Sequence, residues 1–436
     1  MKIAIIGSGI AGLASAHGLR GRADLTLFEA GDYFGGHTHT VDVTLPGPSG
    51  MVTHGVDTGF LVFNERTYPK LIALFSELGI ATAKSDMSFS VQVPQAHGRR
   101  ALEWSGASLN SVFAQRRNLV NPRFLNMLRE VLRFNTLATQ LAEQGDESAL
   151  TQPLAEFLDQ HHFSPVFRDW YFLPMLGCIW SCPTDQMLQF PVATMIRFCH
   201  NHGLIQVSNR PQWWTVAGGA RNYVEKIIAG VPDKRLATPV TGIRRDAHGV
   251  WIVSGGRLER FDQVVLACHS DQALALLSDA SPLERATLGA IRYQPNHAVL
   301  HTDTSVLPKK RRAWAAWNYQ RAADPTQEQS RVCLHYLLNL LQPLPFTTSV
   351  VVSLNPLREI EPAQVLGRYD YDHPVFDLAA IRAQKQLPAL QGQQATYFCG
   401  AWTGYGFHED GLASGLDVAR RLCQTIALAP PERLAA

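Results

Sequence analysis

The segment that most constrains the fold is KIAIIGSGIAGL, near the N-terminal end of the chain. Its residues 3–6 form a short apolar run, which predicts a strand buried on both faces. The glycines Gly7, Gly9 and Gly12 follow as G-x-G-x-x-G, and a helical pattern of small residues continues from them. This order predicts the strand–turn–helix unit with which a parallel α/β sheet begins.

Each glycine of the motif has its own physical role. Gly7 permits the tight turn, Gly9 lets the backbone approach a pyrophosphate, and Gly12 lets the helix pack close to the strand. Glu29 ends a second predicted strand, 17 residues beyond Gly12, where a carboxylate can accept hydrogen bonds from ribose hydroxyls. The context predicts a dinucleotide site, and the acid favours a free ribose 2′-hydroxyl, so not NADP.

Bulk composition excludes several classes of protein. The chain has 436 residues, of which 46% are hydrophobic, enough for a large core in two or three domains. Its net charge of +2 gives no electrostatic argument for a nucleic-acid partner. Seven scattered cysteines indicate reduced thiols, and His37, His39 and His54 match no metal-ligand spacing. No metal site is predicted.

The sequence also bears on location. The apolar run 3–6 stops at Gly7, which is too early for a signal peptide, and no apolar segment reaches the roughly 20 residues of a membrane span. We expect a cytoplasmic protein that is at most peripheral to the inner face of the membrane. Arginines within 107–170 and the KKRR run at 309–312 allow a weak membrane contact, although such runs usually mark solvated faces.

The segment EAGDYFGGHTHT identifies a resemblance. Its Gly35-Gly36 pair follows Glu29 in the arrangement E-x(5)-G-G, which resembles the FAD-binding pattern of flavin amine oxidases and glutathione-reductase-like proteins. In those proteins the glycine pair lies near the FAD phosphates, so the resemblance places His37 and Thr38 near the cofactor. The segment GVDTGFLVFN at 55–64 resembles the next strand and turn, which enter the flavin pocket.

The resemblance continues at the other end of the chain. ATYFCGAW and EDGLASGLDVARRLC resemble the strand and final helix of the flavin amine oxidase family, whose helix start faces the flavin. Internal segments resemble the strands that meet adenine and end near the cofactor. With no cysteine attachment pattern, we expect FAD to be held non-covalently. The predicted FAD contacts are Gly7, Gly9, Ile10, Ala11, Gly12, Glu29, Ala30, Gly35, Gly36, His37, Thr38, Val240, Ala267, Gly400, Ala401, Gly411 and Leu412.

These separated pieces imply the fold class and the domains. The resemblance implies an α/β fold with an FAD-binding, Rossmann-like domain of the glutathione-reductase and amine-oxidase type, joined to an α+β substrate domain. The FAD-binding domain is expected to comprise residues 1–75, 214–275 and 390–430. The substrate domain is expected to comprise residues 76–213 and 276–389.

The predicted catalytic residues are Tyr405, His408 and His297. Relatives place a lysine near the flavin on a strand that IRYQPNHAVLHTD resembles, and His297 lies near that position. Tyr405 would supply a ring of the family's aromatic cage, and His408 a general acid or base at the flavin. Glu409 is expected to orient His408 or to cap a helix, and Asp410 to be the N-cap of the final helix.

Several segments resemble a narrower group, the bacterial flavin amine-oxidase-like proteins associated with cyclopropane-fatty-acid synthase. They are GFLVFNERTYP at 59–69, LPMLGCIWSCP at 173–183, RPQWWTVAGGARNYV at 210–224 and GYGFHEDG at 404–411. This resemblance implies a fatty-acyl substrate. The apolar residues of 170–180, with Trp213 and Trp214, would then line an acyl tunnel that ends at the flavin.

Three functions remain open at this point. The first is an FAD-dependent oxidoreductase that acts on an unsaturated, methyl-branched or cyclopropane acyl chain by desaturation, oxidation or isomerisation. The second is a flavin amine oxidase that produces an imine and hydrogen peroxide. The third is a non-catalytic flavoprotein partner of a cyclopropane-fatty-acid-synthase-like enzyme. Asp57 is left open between a contact with the FAD ribityl chain and a structural role.

Overall fold

The computed structural model describes residues 1–98, 100–144, 152–206, 210–324 and 331–428. A five-stranded parallel sheet has the N-terminal strand at its centre. Ile3 and Ile5 pack into the core on one face of this sheet, and Ala4 and Ile6 pack on the other. The predicted strand buried on both faces is therefore confirmed. In spatial order the strands are Asp233–Arg235, Asp24–Phe28, Lys2–Ile6, Gln263–Leu266 and Thr396–Phe398.

Two helices from distant parts of the sequence pack together, and the earlier of them packs on this sheet. Ile10–Leu19 follows the glycine turn, and His408–Leu428 lies against it. The close approach depends on Gly415, where a Cβ would overlap the carbonyl oxygen of Ala11. Ser15 strengthens the contact, since its hydroxyl donates to the carbonyl of Gly415 at 3.1 Å.

A seven-stranded sheet forms the second layer. Neighbouring strands are antiparallel, except that Trp317–Gln320 runs parallel to Phe89–His97. Along Arg292–His301, Ala298 and Leu300 face one core while Val299 faces another, as the two-residue period of a strand requires. In spatial order the strands are Val365–Val375, Arg292–His301, Val351–Leu354, Cys333–Leu337, Trp317–Gln320, Phe89–His97 and Arg100–Ser105.

Smaller antiparallel units complete the β-structure. One is the hairpin of Thr40–Gly47 with Gly50–Asp57. In another, Trp213–Val216 pairs with both Phe63–Asn64 and Thr82–Ser85. The third is a three-stranded sheet whose members are Val240–Asp246, Gly249–Ser254 and Arg257–Phe261.

The region 107–170 is rich in helices, as the sequence predicts. Among the described residues, no helix combines the length and the apolarity that crossing a membrane requires. The other α-helices are Pro69–Leu78, Leu109–Val112, Pro122–Gln144, Leu154–Gln160, Pro165–Phe167, Leu173–Trp180, Thr184–Leu188, Val192–Asn201, Arg221–Ile228, Ser270–Leu276, Pro282–Leu288, Leu338–Leu341 and Leu378–Leu390. Arg168–Phe172 is a π-helix, and 3₁₀ turns span Arg116–Val120, Thr304–Val306, Arg311–Ala313, Pro362–Gln364, Gln393–Ala395 and Ala401–Thr403.

The two large sheets draw on different parts of the sequence. Every strand of the parallel sheet comes from the segments that we assign to the FAD-binding domain, and every strand of the seven-stranded sheet comes from the substrate segments. The strand Trp213–Val216 spans the predicted boundary at 214 and pairs with residues from both sides of residue 75. The exact domain boundaries stay predictions.

Candidate active site

A cavity of about 750 Å³ takes its walls from both large sheets. Ile6 and Ala267, at the carboxyl ends of two parallel strands, line one end. Val352 and Leu354, on the cavity-facing side of the seven-stranded sheet, line another part. Ligands of open α/β sheets bind beyond the carboxyl ends of the strands, so this cavity is the candidate site.

The glycine turn forms one wall of the cavity. A Cβ at Gly9 would have no heavy atom within 4 Å outside its chain neighbours, so Gly9 faces open space. At Gly12 a Cβ would overlap the carbonyl oxygen of Gly7, and at Gly7, whose φ is +100°, it would lie 2.9 Å from the Ala267 carbonyl oxygen. Gly7 and Gly12 are therefore required by packing, whereas Gly9 leaves room for a ligand.

Glu29 braces this turn. Its carboxylate accepts hydrogen bonds from the backbone N–H of Ser8 at 2.9 Å and from the Ser8 hydroxyl, and it also accepts from the N–H of Gly31. The Ser8 hydroxyl oxygen in turn accepts from the N–H of Gly35. The carboxylate thus joins the first glycine turn to the Gly35-Gly36 loop. Sequence reasoning missed Ser8 because it occupies an unspecified position of the motif.

The predicted FAD contacts divide into two groups. Thr38 and Gly12 are buried beside the cavity, and Gly411 and Leu412 lie in the final helix without lining it. A Cβ at Gly411 would meet Ile10, so this glycine serves helix packing. The predicted contacts that do line the cavity are Gly7, Gly9, Ile10, Ala11, Glu29, Ala30, Gly35, Gly36, His37, Val240, Ala267, Gly400 and Ala401.

The start of the final helix differs from the prediction. The helix begins at His408, so the prediction that Asp410 is its N-cap is wrong. The Asp410 carboxylate instead reaches back and accepts from the N–H groups of Tyr405 and Phe407, each at 3.0 Å. The N–H of Gly411 donates to the carbonyl of Phe407 and is therefore already used within the helix. This first turn shapes the loop that carries Tyr405 into the cavity wall.

His408 lines the cavity and is held on its inner side by a buried cluster. Its Nε2 lies 2.7 Å from the Tyr223 hydroxyl and 3.4 Å from the Thr38 hydroxyl. Its ring stacks on Phe60 with centroids 3.8 Å apart. Burial lowers the pKa of His408 to about 3, so the ring is neutral near pH 7. Because general acids and bases work best with a pKa near the operating pH, this environment suits positioning better than proton transfer.

Glu409 does not orient His408. Its carboxylate accepts hydrogen bonds from the N–H groups of Lys70 and Leu71, at 2.8 and 2.9 Å. These are free donors in the first turn of the helix Pro69–Leu78, so Glu409 caps that helix from across the molecule.

His297 lies outside the cavity. It faces Asp370 on the neighbouring strand, with Nδ1 3.0 Å from the carboxylate, and 39% of its side chain is exposed. Its neighbour Ala298 packs toward the core on the cavity side of the sheet. Successive side chains on a strand point to opposite faces. His297 is therefore on the wrong face to contact a ligand in the cavity, which contradicts the predicted catalytic position.

Asp57 is a structural residue beside the cavity. Its carboxylate accepts from the N–H of Ala220, from the Thr40 hydroxyl and from the side-chain amide of Gln342 at 2.6 Å. Burial raises the pKa of Asp57 to about 7, and these hydrogen bonds oppose that rise. The residue joins the hairpin to the turn before Arg221–Ile228, and it does not line the cavity.

A cluster of rings that sequence reasoning missed lines the cavity near His37. His37 lies 5.1 Å from Tyr371 and 5.5 Å from His373, measured between ring centroids, and 6.4 Å from His269. Burial lowers the pKa of His373 to about 4 and that of His37 well below its usual value. Nε2 of His37 is buried and has no hydrogen-bond partner among the described residues. His37 was predicted from its place after the glycine pair, but no motif marks His269, Tyr371 or His373, because three distant segments bring the cluster together.

The inner end of the cavity is apolar and aromatic. Of the predicted tunnel residues, Ile179, Trp180 and Trp213 line it, whereas Trp214 and residues 170–176 do not. Among the described lining residues there is no lysine or arginine. The inner lining comprises Phe60, Leu61, Val62, Tyr68, Met87, Cys178, Ile179, Trp180, Ser181, Phe198, His202, Leu204, Trp213, Trp317, Tyr336, Val352, Leu354, Tyr405 and Phe407.

Known proteins share the sequence pattern of this chain. Residues 10–314 match the family model of flavin-containing amine oxidoreductases. The chain belongs to this family. Like its other members it binds FAD, and it is an FAD-dependent oxidoreductase. None of the curated proteins compared with the chain matches it.

Solved structures show the same fold for this flavin-containing amine oxidoreductase. Cyclohexylamine oxidase from Brevibacterium oxydans IH-35A is 17% identical, with a TM-score of 0.68, and the match covers 98% of this chain and 99% of that one. The fatty acid isomerase from P. acnes described as CLA-producing is also 17% identical, with a TM-score of 0.64 over 96% and 98% of the two chains. Putrescine oxidase bound to putrescine is 14% identical, with a TM-score of 0.67 over 97% and 99%.

The cavity residues fit FAD. The open space in front of Gly9, at the N-terminus of Ile10–Leu19, accepts an anion such as the pyrophosphate. Nε2 of His37 offers a buried polar atom that has no partner in the described part of the chain. Bound FAD supplies an acceptor for two electrons. The glycine turn would hold its phosphates, and Glu29 would meet its ribose.

Proposed function

We propose that this enzyme acts on an apolar fatty-acyl chain, by desaturation, oxidation or isomerisation of a bond placed beside the flavin. The observation that carries the proposal is the uncharged inner end of the cavity. The carboxylates of the described lining are those of Glu29, which braces the glycine turn, and Asp372, which precedes His373. Neither belongs to the aromatic inner wall.

Four buried titratable groups of the inner end are neutral near pH 7. Burial lowers the pKa of His202 to about 4 and raises the pKa values of Cys178, Tyr68 and Tyr336 above their usual range. An ammonium group placed there would lose its hydration and find no opposite charge, whereas an acyl chain would gain from leaving water. The fold similarity to a fatty acid isomerase is compatible with such a substrate.

Amine oxidation is the second candidate, and a specific observation favours it. Tyr405 and Phe407 both present rings to the cavity, and Phe407 stacks on Phe198 with centroids 4.7 Å apart. Aromatic faces can hold an amine through cation–π attraction without a carboxylate. The similarity to cyclohexylamine oxidase is compatible with this use of the rings.

Anaerobic titration of the purified holoenzyme separates the candidates. Unsaturated, methyl-branched and cyclopropane fatty acids are added in parallel with a panel of amines. We expect lipids to bleach the flavin absorbance or to return as isomers detectable by mass spectrometry. Bleaching by amines alone, with hydrogen peroxide in air, would instead identify an amine oxidase. Inertness toward both panels, together with tight binding to a cyclopropane-synthase-like enzyme, would indicate a non-catalytic partner.

A matched pair of variants tests whether the inner end binds the substrate. Val352 is 1% exposed and faces the cavity. Val352→Phe should narrow the inner end, so the lipid response should fall while FAD stays bound. Val352→Ile adds only one methylene and should have a much smaller effect. An unchanged lipid response in Val352→Phe would place the substrate elsewhere.

A further inference from the structure

Three segments meet at a surface outside the cavity. The strand Arg100–Ser105 and the short helix Leu109–Val112 both pack against the turn Arg311–Ala313. The buried carboxylate of Glu103 accepts hydrogen bonds from the N–H groups of Lys309 and Lys310, each at 3.0 Å. The KKRR run is therefore fixed beside the region 100–123 by specific contacts.

This surface is strongly basic. No aspartate or glutamate occurs in 104–129 or in 304–323. Arg116 and Arg117 donate to uncharged oxygens of the chain, such as the carbonyls of Phe113 and Ala101. No ion pair joins the basic residues of this surface to a carboxylate in the described part of the chain. We call the surface the basic patch, and its exposed basic residues are Arg100, Arg116, Arg117, Arg123, Lys309, Lys310, Arg311 and Arg312.

Aliphatic side chains project from the same segments. Leu109 is 80% exposed, Val120 is 82% exposed and Leu119 is 50% exposed. In the turn Arg116–Val120 the buried residue is Asn118, so neither aliphatic residue of this turn belongs to the core. Val120 shares a shallow recess with three arginines of the patch, Arg100, Arg117 and Arg123. Exposed aliphatic side chains thus lie among basic side chains that form no ion pair with a described carboxylate.

We propose that the basic patch docks the enzyme on the surface of an anionic phospholipid bilayer. Lysine and arginine attract anionic headgroups, and exposed aliphatic tips enter the boundary between headgroups and acyl chains. A nucleic acid would also be attracted by the basic side chains, but it would not bury the aliphatic side chains of Leu109 and Val120. A bilayer accounts for both features of the patch. The proposal goes beyond the proposed function and does not depend on it.

Vesicle binding of the holoenzyme tests the proposal. We expect cosedimentation with vesicles that contain phosphatidylglycerol, little binding to pure phosphatidylcholine, and weaker binding as salt rises. Replacing Arg123→Gln, Lys310→Gln and Val120→Ser together should weaken binding by about tenfold or more, given the attraction of each basic residue to the surface. Equal binding to both vesicle types, or none to either, would overturn the proposal.

The chain offers a matched control on another surface. Arg257 is exposed, and the adjacent Leu258 is 59% exposed. Arg257→Gln with Leu258→Ser should leave vesicle binding unchanged, whereas Arg123→Gln with Val120→Ser should reduce it. Flavin absorbance and thermal unfolding confirm that both variants fold. If RNA competes fully with vesicles and Val120→Ser has no effect, the patch binds polyanions and the bilayer assignment is wrong. Turnover of a substrate supplied without vesicles reports on the cavity separately.

Discussion

The Tyr223 hydroxyl lies 2.7 Å from Nε2 of His408, a residue 185 positions later in the sequence. The contact joins the helix Arg221–Ile228 to the helix His408–Leu428. The same hydroxyl lies 2.5 Å from the Thr38 hydroxyl, which follows the glycine pair of the cavity wall. Three segments distant in the sequence are therefore tied together at one buried point. These contacts hold the segment of Thr38, the helix of Tyr223 and the start of the final helix together beside the cavity.

Tyr223→Phe should show how much the hydrogen bond between Tyr223 and His408 stabilises the fold. The substitution keeps the ring but leaves His408 Nε2 without its closer partner, and a buried polar group without a partner costs about 1–3 kcal/mol. We expect urea unfolding to show a loss in that range, with faster release of FAD. His408→Ala should cost more, because it also removes the ring that stacks on Phe60. Unchanged stability in Tyr223→Phe would show that the hydrogen bond contributes nothing.

Gly9→Val should separate folding from FAD binding. The space in front of Gly9 is open and its φ of −62° suits any residue, so the variant should fold with nearly normal stability. It should carry no FAD, because the side chain would occupy the position of the pyrophosphate. Circular dichroism and flavin absorbance report the two properties separately.

Gly12→Val is the contrasting variant. Here the added Cβ would overlap the backbone of Gly7, so folding itself should fail.

Retention of FAD by Gly9→Val would show that the cofactor phosphates do not lie against this turn.

Glu409→Ala should affect stability and leave chemistry intact. The carboxylate caps the helix Pro69–Leu78, and loss of a cap typically costs about 1 kcal/mol. We expect a lower midpoint of urea unfolding with kcat/KM within about twofold of the wild type. Glu409→Gln retains an acceptor oxygen and should recover part of the loss. A large fall in kcat in both variants would show that this residue also affects the reaction.

A second buried network lies on the face of the seven-stranded sheet away from the cavity. The N–H of Asp303 donates to Nδ1 of His301, so neutral His301 carries its proton on Nε2. That group donates to the Ser353 hydroxyl at 2.6 Å, which donates to Nδ1 of His335 at 2.6 Å. Nε2 of His335 then donates to Gln320 at 2.9 Å. In this series of hydrogen bonds each histidine donates through one ring nitrogen and accepts through the other. Protonation of either ring turns its acceptor into a donor and therefore breaks one hydrogen bond.

This network predicts how stability depends on pH. Burial lowers the pKa of His301 to about 4 and that of His335 to about 3, against about 6.5 in an unfolded chain. The unfolded state therefore binds more protons between these values. The stabilising contribution is complete above about pH 6.5 and falls as pH decreases toward 4.

Urea midpoints at pH 7.5 and pH 5 should differ less when both histidines are replaced. We expect a loss of roughly 2 kcal/mol per histidine at pH 5 in the wild type. The double variant His301→Gln with His335→Gln lacks both titrating groups, so its stability should change less over the same pH range. Equal changes in the two proteins would show that these residues do not carry the dependence.

The parts of the site that sequence predicts are those fixed by local spacing. Gly7, Gly9 and Gly12 lie within one turn and the start of one helix, so their spacing in the sequence is enough to predict their relative positions. His297 was misplaced because a shift of one residue along a strand moves a side chain to the other face. Asp410 was misassigned because its cap geometry depends on where the helix starts, which the sequence leaves uncertain by a residue or two.

The remaining features depend on contacts between distant segments. Glu409 caps a helix more than 300 positions away, and the rings around His37 come from three segments. Periodicity and motif spacing describe neighbours along the chain, so they carry no signal for such pairs. The neutral state of His408 likewise depends on burial by Phe60 and Tyr223, which only the folded chain shows.

The parallel sheet has a consequence for synthesis of the chain. Its central strand Lys2–Ile6 is synthesised long before the edge strand Thr396–Phe398 and the loop before His408. Until those residues have left the ribosome, the glycine turn lacks the opposite wall of its cavity. A nascent chain that lacks these residues also lacks part of the cavity wall, so we expect it to capture FAD only after they have joined the sheet.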